Sequence, residues 1–238
     1  MFGWRGQLLR VDLNSGAVTK EPLNPQAARD YLGGRGLGAF LHGRPNPGAA
    51  APRDAENPLV FVTGPLTGTI APNGGRFTVV TRTPAGGGIT AASISGKWGA
   101  ELKFAGFDGI IFEGRAAEPV YLYIKDGAAE LRSAAHLAGK TVSDATGALV
   151  RETDPRSVVA CIGPAGENEV ACSVIVSDYF SAAGSCGAAA VMGSRNLKAV
   201  VACGTRGFRV ADRDNLVKTV LDLRSTMKSR PLAMAGSL

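Results

Sequence analysis

The chain carries the same succession of elements twice, and this constrains its fold more than any other property. From Val62 to Phe112, and again from Ile162 to Val201, an apolar strand ends in Gly-Pro, at Gly64-Pro65 and Gly163-Pro164. A short loop and a second strand follow, Phe77–Thr81 in one copy and Cys172–Val176 in the other. A glycine-rich turn, Gly96-Lys-Trp-Gly99 or Gly184-Ser-Cys-Gly187, then opens a short helix. A buried strand closes the unit, Gly109–Gly114 or Lys198–Gly204. Fixed order at similar spacing marks an internal duplication. Two related halves would place their glycine turns at corresponding positions, where backbone amides can approach a ligand closely.

The flanking segments repeat as well. Leu8–Leu13 and Ala17–Glu21 read as a hairpin across Asn14-Ser-Gly16, and Val120–Lys125 and Ala128–Arg132 as one across Asp126-Gly127. Asn24-Pro25 starts a helix from Gln26 to Leu32 that stops at Gly33, and Ser143 caps a second helix running to Thr153. Gly43–Asn57, rich in proline, glycine and alanine, reads as a surface loop before the strand Leu59–Thr63. The fold class that follows is α+β: two related β-sheets with short helices, in one domain over residues 1–208. Its repeats cover about 1–115 and 116–208, with the boundary near Gly114–Pro119. Beyond Gly207, Ala211–Asp214 caps an amphipathic helix from about Asn215 to Lys228, apolar at Leu216, Val217, Val220, Leu221 and Leu223. Residues 209–238 therefore read either as a helix leading toward an absent second domain or as one folded back onto the sheets.

Several function classes are excluded by what the chain lacks. Glycine supplies 32 of 238 residues, about twice the usual share, but every cluster is bracketed by strand patterns, unlike a flexible linker. The cysteines Cys161, Cys172, Cys186 and Cys203 lie 11, 14 and 17 apart, so none has the short spacing of a zinc or iron–sulfur site. They read as small core residues, and His42 and His136 as structural or surface residues without a nearby partner. The net charge of +6 suits an acidic ligand such as a phosphorylated cofactor. Scattered basic residues without an aromatic platform argue against nucleic acid. No window reaches the roughly 20 apolar residues of a membrane span, and the N-terminus lacks the apolar core of a signal peptide. A cytoplasmic protein is expected.

Seven stretches stand in a set order: Leu9–Leu13, Leu32-Gly-Gly-Arg-Gly-Leu37, Gly64-Pro-Leu-Thr-Gly-Thr69, Ala71-Pro-Asn-Gly-Gly-Arg76, Glu101-Leu-Lys-Phe-Ala-Gly106, Gly163-Pro-Ala-Gly-Glu-Asn168 and Val191-Met-Gly-Ser-Arg-Asn-Leu-Lys198. Together they resemble the N-terminal domain of the aldehyde:ferredoxin oxidoreductase family over nearly the entire chain. The resemblance implies a saddle of two six-stranded sheets related by a pseudo-twofold axis. It implies a tungsten (or molybdenum) bis-molybdopterin cofactor on that saddle, with magnesium bridging the two pterin phosphates. In the family, two following helical domains cover the cofactor and supply acidic pterin-binding motifs, proton-handling residues and the cysteines of a [4Fe-4S] cluster. That cluster passes electrons to a ferredoxin-type acceptor. No Cys-x-x-Cys occurs here, so the cluster ligands are expected in missing helical domains or in a separate catalytic subunit. The chain is expected to be a fragment, a split subunit or a degenerate paralogue, to form a homo-oligomer or hetero-complex, and to be inactive alone.

The resemblance also assigns site residues. Arg76 matches the family arginine between a pterin and the cluster, and a guanidinium fork suits phosphate or pterin oxygens. Gly74 and Gly75 would let backbone meet the pterin, with Pro72 and Asn73 shaping the turn. Thr67–Thr69 and Arg35 belong to family-like loops. Ser93 stands where the family usually has the Asn of the magnesium-holding loop. Ser181 and Ser185 stand where it usually has arginine. Two lost cations forfeit charge-assisted bonds of about 1.5–3 kcal/mol each, for which Arg82, Lys97 or Arg195 could compensate. Backbone amides at Gly184–Gly187 remain available to phosphate. The candidate cofactor-binding residues are thus Gly74, Gly75, Arg76, Ser93, Gly184 and Ser185, with no catalytic residue or metal ligand expected in this chain. Two functions stay open: the cofactor-binding part of an enzyme oxidising aldehydes to carboxylic acids, or a non-catalytic assembly or scaffold subunit.

Overall fold

The apolar runs become the centres of two six-stranded sheets. The computed structural model describes residues 1–44, 50–182 and 187–229. In chain order the first half contains β1 (Gln7–Asp12), β2 (Ala17–Pro22), α1 (Pro25–Tyr31), α2 (Gly34–Gly43), β3 (Leu59–Val62), β4 (Phe77–Arg82), β5 (Ile89–Ile94), α3 (Trp98–Ala105) and β6 (Gly109–Glu113). The second contains β7 (Val120–Lys125), β8 (Ala128–Ser133), α4 (Val142–Glu152), β9 (Val158–Cys161), α5 (Pro164–Glu167), β10 (Val176–Ser177), β11 (Ser181–Ala182), α6 (Ala188–Ser194) and β12 (Leu197–Cys203). Helix α7 (Arg213–Ser229) follows.

The sheets run β2-β1-β6-β3-β4-β5 and β8-β7-β12-β9-β10-β11, strand for strand the same. Parallel pairing occurs at β1–β6 and at β7–β12; the other pairs are antiparallel. Register agrees as well: Phe61 faces Ile110 and Ala160 faces Val200, so Ile110 and Val200 occupy equivalent places. The duplication is therefore a property of the fold. β3 and β12 are buried along their whole length, which is why they read as unbroken apolar runs instead of alternating ones.

The main core lies between the sheets, where Phe61, Phe77, Ile110 and Phe112 from one meet Leu122, Ala160 and Val200 from the other. Helices α3 and α6 share this layer, and each also packs on the opposite half. Helix α3 lies on β12, β9 and β7, and α6 reaches β3 and β4. Trp98 of α3 donates its indole N–H to the Val200 carbonyl at 2.8 Å. Outside this layer, α1 and α2 cover the first sheet through Leu37 and Leu41 against Val60, Val80 and Ile111. Helix α4 covers the second through Leu149 against Tyr121, Val159 and Val201.

Four expectations are corrected. The second-copy strand begins at Val176, not Cys172, because a turn closed by Ser173 N–H to Val170 O at 2.9 Å takes up the residues before it. Cys172 is consequently exposed, whereas Cys161 and Cys203 are buried. Thr141, not Ser143, caps α4 by accepting from Asp144 N–H. Helix α2 carries no helix signal in its sequence because its glycines disfavour helix by about 1 kcal/mol each. Packing decides otherwise: a Cβ on Gly38 would stand 2.5 Å from the Val80 side chain. Both histidines have partners, His42 with Asn57 and His136 with Glu152. Among the described residues, no helix is long and apolar enough to cross a membrane.

Candidate functional site

Three turns converge at the edges of the two sheets. The first, Gly64–Arg76, joins β3 to β4 and is closed by its own backbone: Gly68 N–H donates to Gly74 O at 2.6 Å, Gly74 N–H to Ala71 O at 2.9 Å and Arg76 N–H to Asn73 O at 3.2 Å. The second, Ser95–Lys97, leads from β5 into α3. The third, Asp178–Phe180, joins β10 to β11 in the other half. A Cβ on Gly75 would stand 1.8 Å from the Gly96 carbonyl oxygen, and one on Gly96 would stand 1.9 Å from an Asp178 carboxylate oxygen. Gly96 also has φ +110°, where side chains are strained. Gly75 and Gly96 thus have no room for a side chain, because backbone oxygen and the Asp178 carboxylate fill the line where the turns meet.

Asp178 locks the junction from the opposite half. Its carboxylate accepts from the Lys97 backbone N–H, the cap position of α3, which has no side-chain cap of its own. An acid there also complements the helix dipole. Burial pushes the Asp178 pKa up, while the Lys97 hydrogen bond and ammonium work against that rise. Asp178 and Tyr179 are both left-handed, at φ 54° and 68°, a conformation that costs about 1–3 kcal/mol and persists where surroundings enforce it. Beside them lies a cleft of about 560 Å³ whose walls include Lys97, Glu101, Arg156, Tyr179 and Phe180. Sequence reasoning missed Asp178, because its partner lies eighty-one positions away in the chain.

Beneath the first turn is a buried charge pair. Lys103 of α3 is fully buried, donates to the Gly64 carbonyl at 2.9 Å and to the Gly3 carbonyl, and sits 3.6 Å from Asp108. Asp108 in turn accepts from the Arg5 and Gly6 backbone N–H groups. Burial lowers the lysine to about 8 and raises the aspartate, overriding the mutual attraction that pushes each the other way. The pair holds the turn in place.

The anticipated site residues are placed as follows. Arg76 is exposed at the start of β4 and, among the described residues, forms no ion pair. Gly74 and Gly75 are in the same turn. Ser93 is exposed near the end of β5, with Oγ 3.2 Å from Thr78 Oγ1, and leads into the Gly96 turn. Gly184 and Ser185 lie outside the described residues. Of the three cations considered as compensation, only Lys97 stands at the junction. Arg82 is at the far end of β4 and donates to Gly87 O. Arg195 is fully buried, donates to Phe112 O at 3.1 Å and is lowered to about 10 by burial. Arg76, Lys97 and the Ser93 hydroxyl, carried by the segments that meet at Gly75 and Gly96, are donors of the kind that suits a group rich in anionic oxygens. Among the described residues, no cluster of three His, Cys, Asp or Glu could hold a metal ion directly.

The family model of the aldehyde ferredoxin oxidoreductase N-terminal domain matches residues 8–204. This chain belongs to that family. It is 44% identical over 237 residues to the tungsten-containing aldehyde ferredoxin oxidoreductase of Pyrococcus abyssi (strain GE5 / Orsay), covering 99% of this chain and 39% of that protein. It is 35% identical over 221 residues to the WOR-like subunit of an aliphatic sulfonate oxidoreductase of Pyrococcus furiosus, covering 86% of this chain and 35% of that subunit. Among solved structures, the active site complex BamBC of benzoyl coenzyme A reductase with 1,5-dienoyl-CoA shares the fold, with TM-score 0.94 and 36% identity over 99% of this chain and 36% of that one. The chain thus spans well under half the length of the family members it resembles.

Proposed function

We propose that this chain is the cofactor-binding platform of a tungsten oxidoreductase of the aldehyde ferredoxin oxidoreductase type. The observation that carries this reading is an exposed Arg76 beside the junction where the Gly75 and Gly96 turns of the first half meet Asp178 of the second, within a family match over residues 8–204. When bound, the tungsten pterin group supplies the two-electron oxidation of an aldehyde to a carboxylic acid, electrons leaving through an iron–sulfur cluster held elsewhere. This chain's share is binding and orientation. Arg76 holds pterin or phosphate oxygens, and Gly74 and Gly75, whose Cβ directions are filled by protein backbone, shape the turn that presents it. Ser93 would serve the phosphates of the group, and Gly184 and Ser185, the matching candidates of the second half, lie outside the described residues. Residues 1–208 form the platform, and 209–238 lead toward the remainder of the protein. That remainder, in the same polypeptide or a partner subunit, covers the site, excludes water and passes electrons to a ferredoxin-type acceptor.

The second reading, a scaffold subunit without cofactor, draws on Ser93, on Ser181 and Ser185, and on the burial of Arg195, which leaves Lys97 as the one compensating cation at the junction. Elemental analysis for tungsten and molybdenum, with pterin fluorescence after oxidative release, separates the two. About one metal and two pterins per chain in the protein purified with whatever accompanies it would support the platform. A folded protein with neither would favour the scaffold.

A further inference from the structure

We propose that Thr67 is a positioning residue for Arg76, an inference that rests on reading Arg76 as a cofactor-holding side chain. Thr67 is 6% exposed, and its hydroxyl is committed in both directions. It accepts from Gly64 N–H at 3.1 Å and donates to the Arg76 carbonyl at 3.0 Å. One oxygen therefore ties the start of the β3–β4 turn to its end, and the hydroxyl has no freedom to rotate without breaking a bond. Gly64 is itself fixed from below, since its carbonyl accepts from the buried Lys103 ammonium. On the other side, α3 lies so close that a Cβ on Gly99 would stand 2.9 Å from the Arg76 carbonyl oxygen. Turned toward Thr67 and sealed by α3, that peptide has one orientation. The direction in which the Arg76 side chain leaves the backbone follows from it.

Without the hydroxyl, the Gly64 N–H and the Arg76 carbonyl lose their partner together. A peptide carbonyl left unpaired under cover rotates toward solvent or admits water. Either movement swings the base of Arg76 while leaving both sheets intact. Thr67→Val keeps the shape and removes the hydroxyl; Thr67→Ser keeps the hydroxyl and removes the methyl. Thr67→Ala serves where the valine variant does not fold.

The test uses full-length protein with its natural partners, comparing wild type, Thr67→Val, Thr67→Ser and Arg76→Ala. Three quantities are read: thermal melting, backbone amide exchange at Gly64 and across residues 71–77, and tungsten and pterin per chain. Loss of its acceptor should raise exchange at Gly64 about tenfold in Thr67→Val, and release of the Arg76 carbonyl should raise it at the neighbouring Arg76 and Phe77 as well. The valine variant's cofactor content should fall to the level of Arg76→Ala, with cooperative melting retained, and Thr67→Ser should restore both. Wild-type exchange and cofactor content in Thr67→Val, alongside cofactor loss in Arg76→Ala, would overturn the positioning role and leave the reading of Arg76 standing. Full cofactor content in Arg76→Ala would overturn both.

Discussion

At Gly75 the backbone of one turn lies against the carbonyl of another with no room for a methyl group. The obstacle is backbone oxygen, which cannot move aside as a flexible side chain can. Gly75→Ala should therefore destabilise the fold by about 1–3 kcal/mol, read from chemical denaturation. Gly86→Ala, with nothing within 4 Å of the added Cβ, should stay within about 0.5 kcal/mol of wild type. Lys103 makes a different prediction. Its ammonium is lowered from 10.5 to about 8, so between those values the unfolded chain holds a proton that the native state lacks. Stability from this group rises with pH through that window, and its full penalty stands below about pH 8. Asp108, raised from 3.8 by burial, contributes stability below that value which is lost as pH rises through its folded pKa. Urea melts at about pH 8 and about pH 10 should show wild type gaining relative to the Lys103→Met/Asp108→Asn variant. An unchanged difference would mean that the ammonium is not desolvated as the geometry requires.

At the scale of elements, the two halves are interleaved, and Trp98 is the clearest link. It belongs to a helix of the first half and donates to a strand of the second, where no water can replace it. Trp98→Phe keeps most of the ring and leaves the Val200 carbonyl without that donor, so a loss of about 1–3 kcal/mol is expected in equilibrium unfolding. The duplication was legible because it is written in local signals: Gly-Pro after a strand, apolar runs of strand length, and glycine before a helix. Arg76, Gly75 and Ser93 were legible only through the family motifs. What escaped depends on distant contacts. Helix α2 forms because Gly38 packs against Val80, Asp178 matters because it reaches Lys97, and Arg195 is unavailable because β6 covers it. Periodicity and spacing carry none of these.

On the scale of the whole molecule, the candidate site lies where turns of both halves meet. Exposed Phe2, Leu66 and Ile70 on the first half and Phe180 on the second add apolar surface that the remaining length of the relatives is suited to cover. The central claim is that the junction of glycine turns holds a tungsten pterin group against Arg76. The most direct measurement is an anomalous difference map, recorded at a tungsten absorption edge from crystals of the full-length protein prepared without oxygen. The account predicts a single strong peak above the junction, flanked by density that reaches the Arg76 guanidinium and passes Ser93. A peak on the opposite face of the sheets, or a loaded protein with Arg76 turned away into solvent, would contradict it.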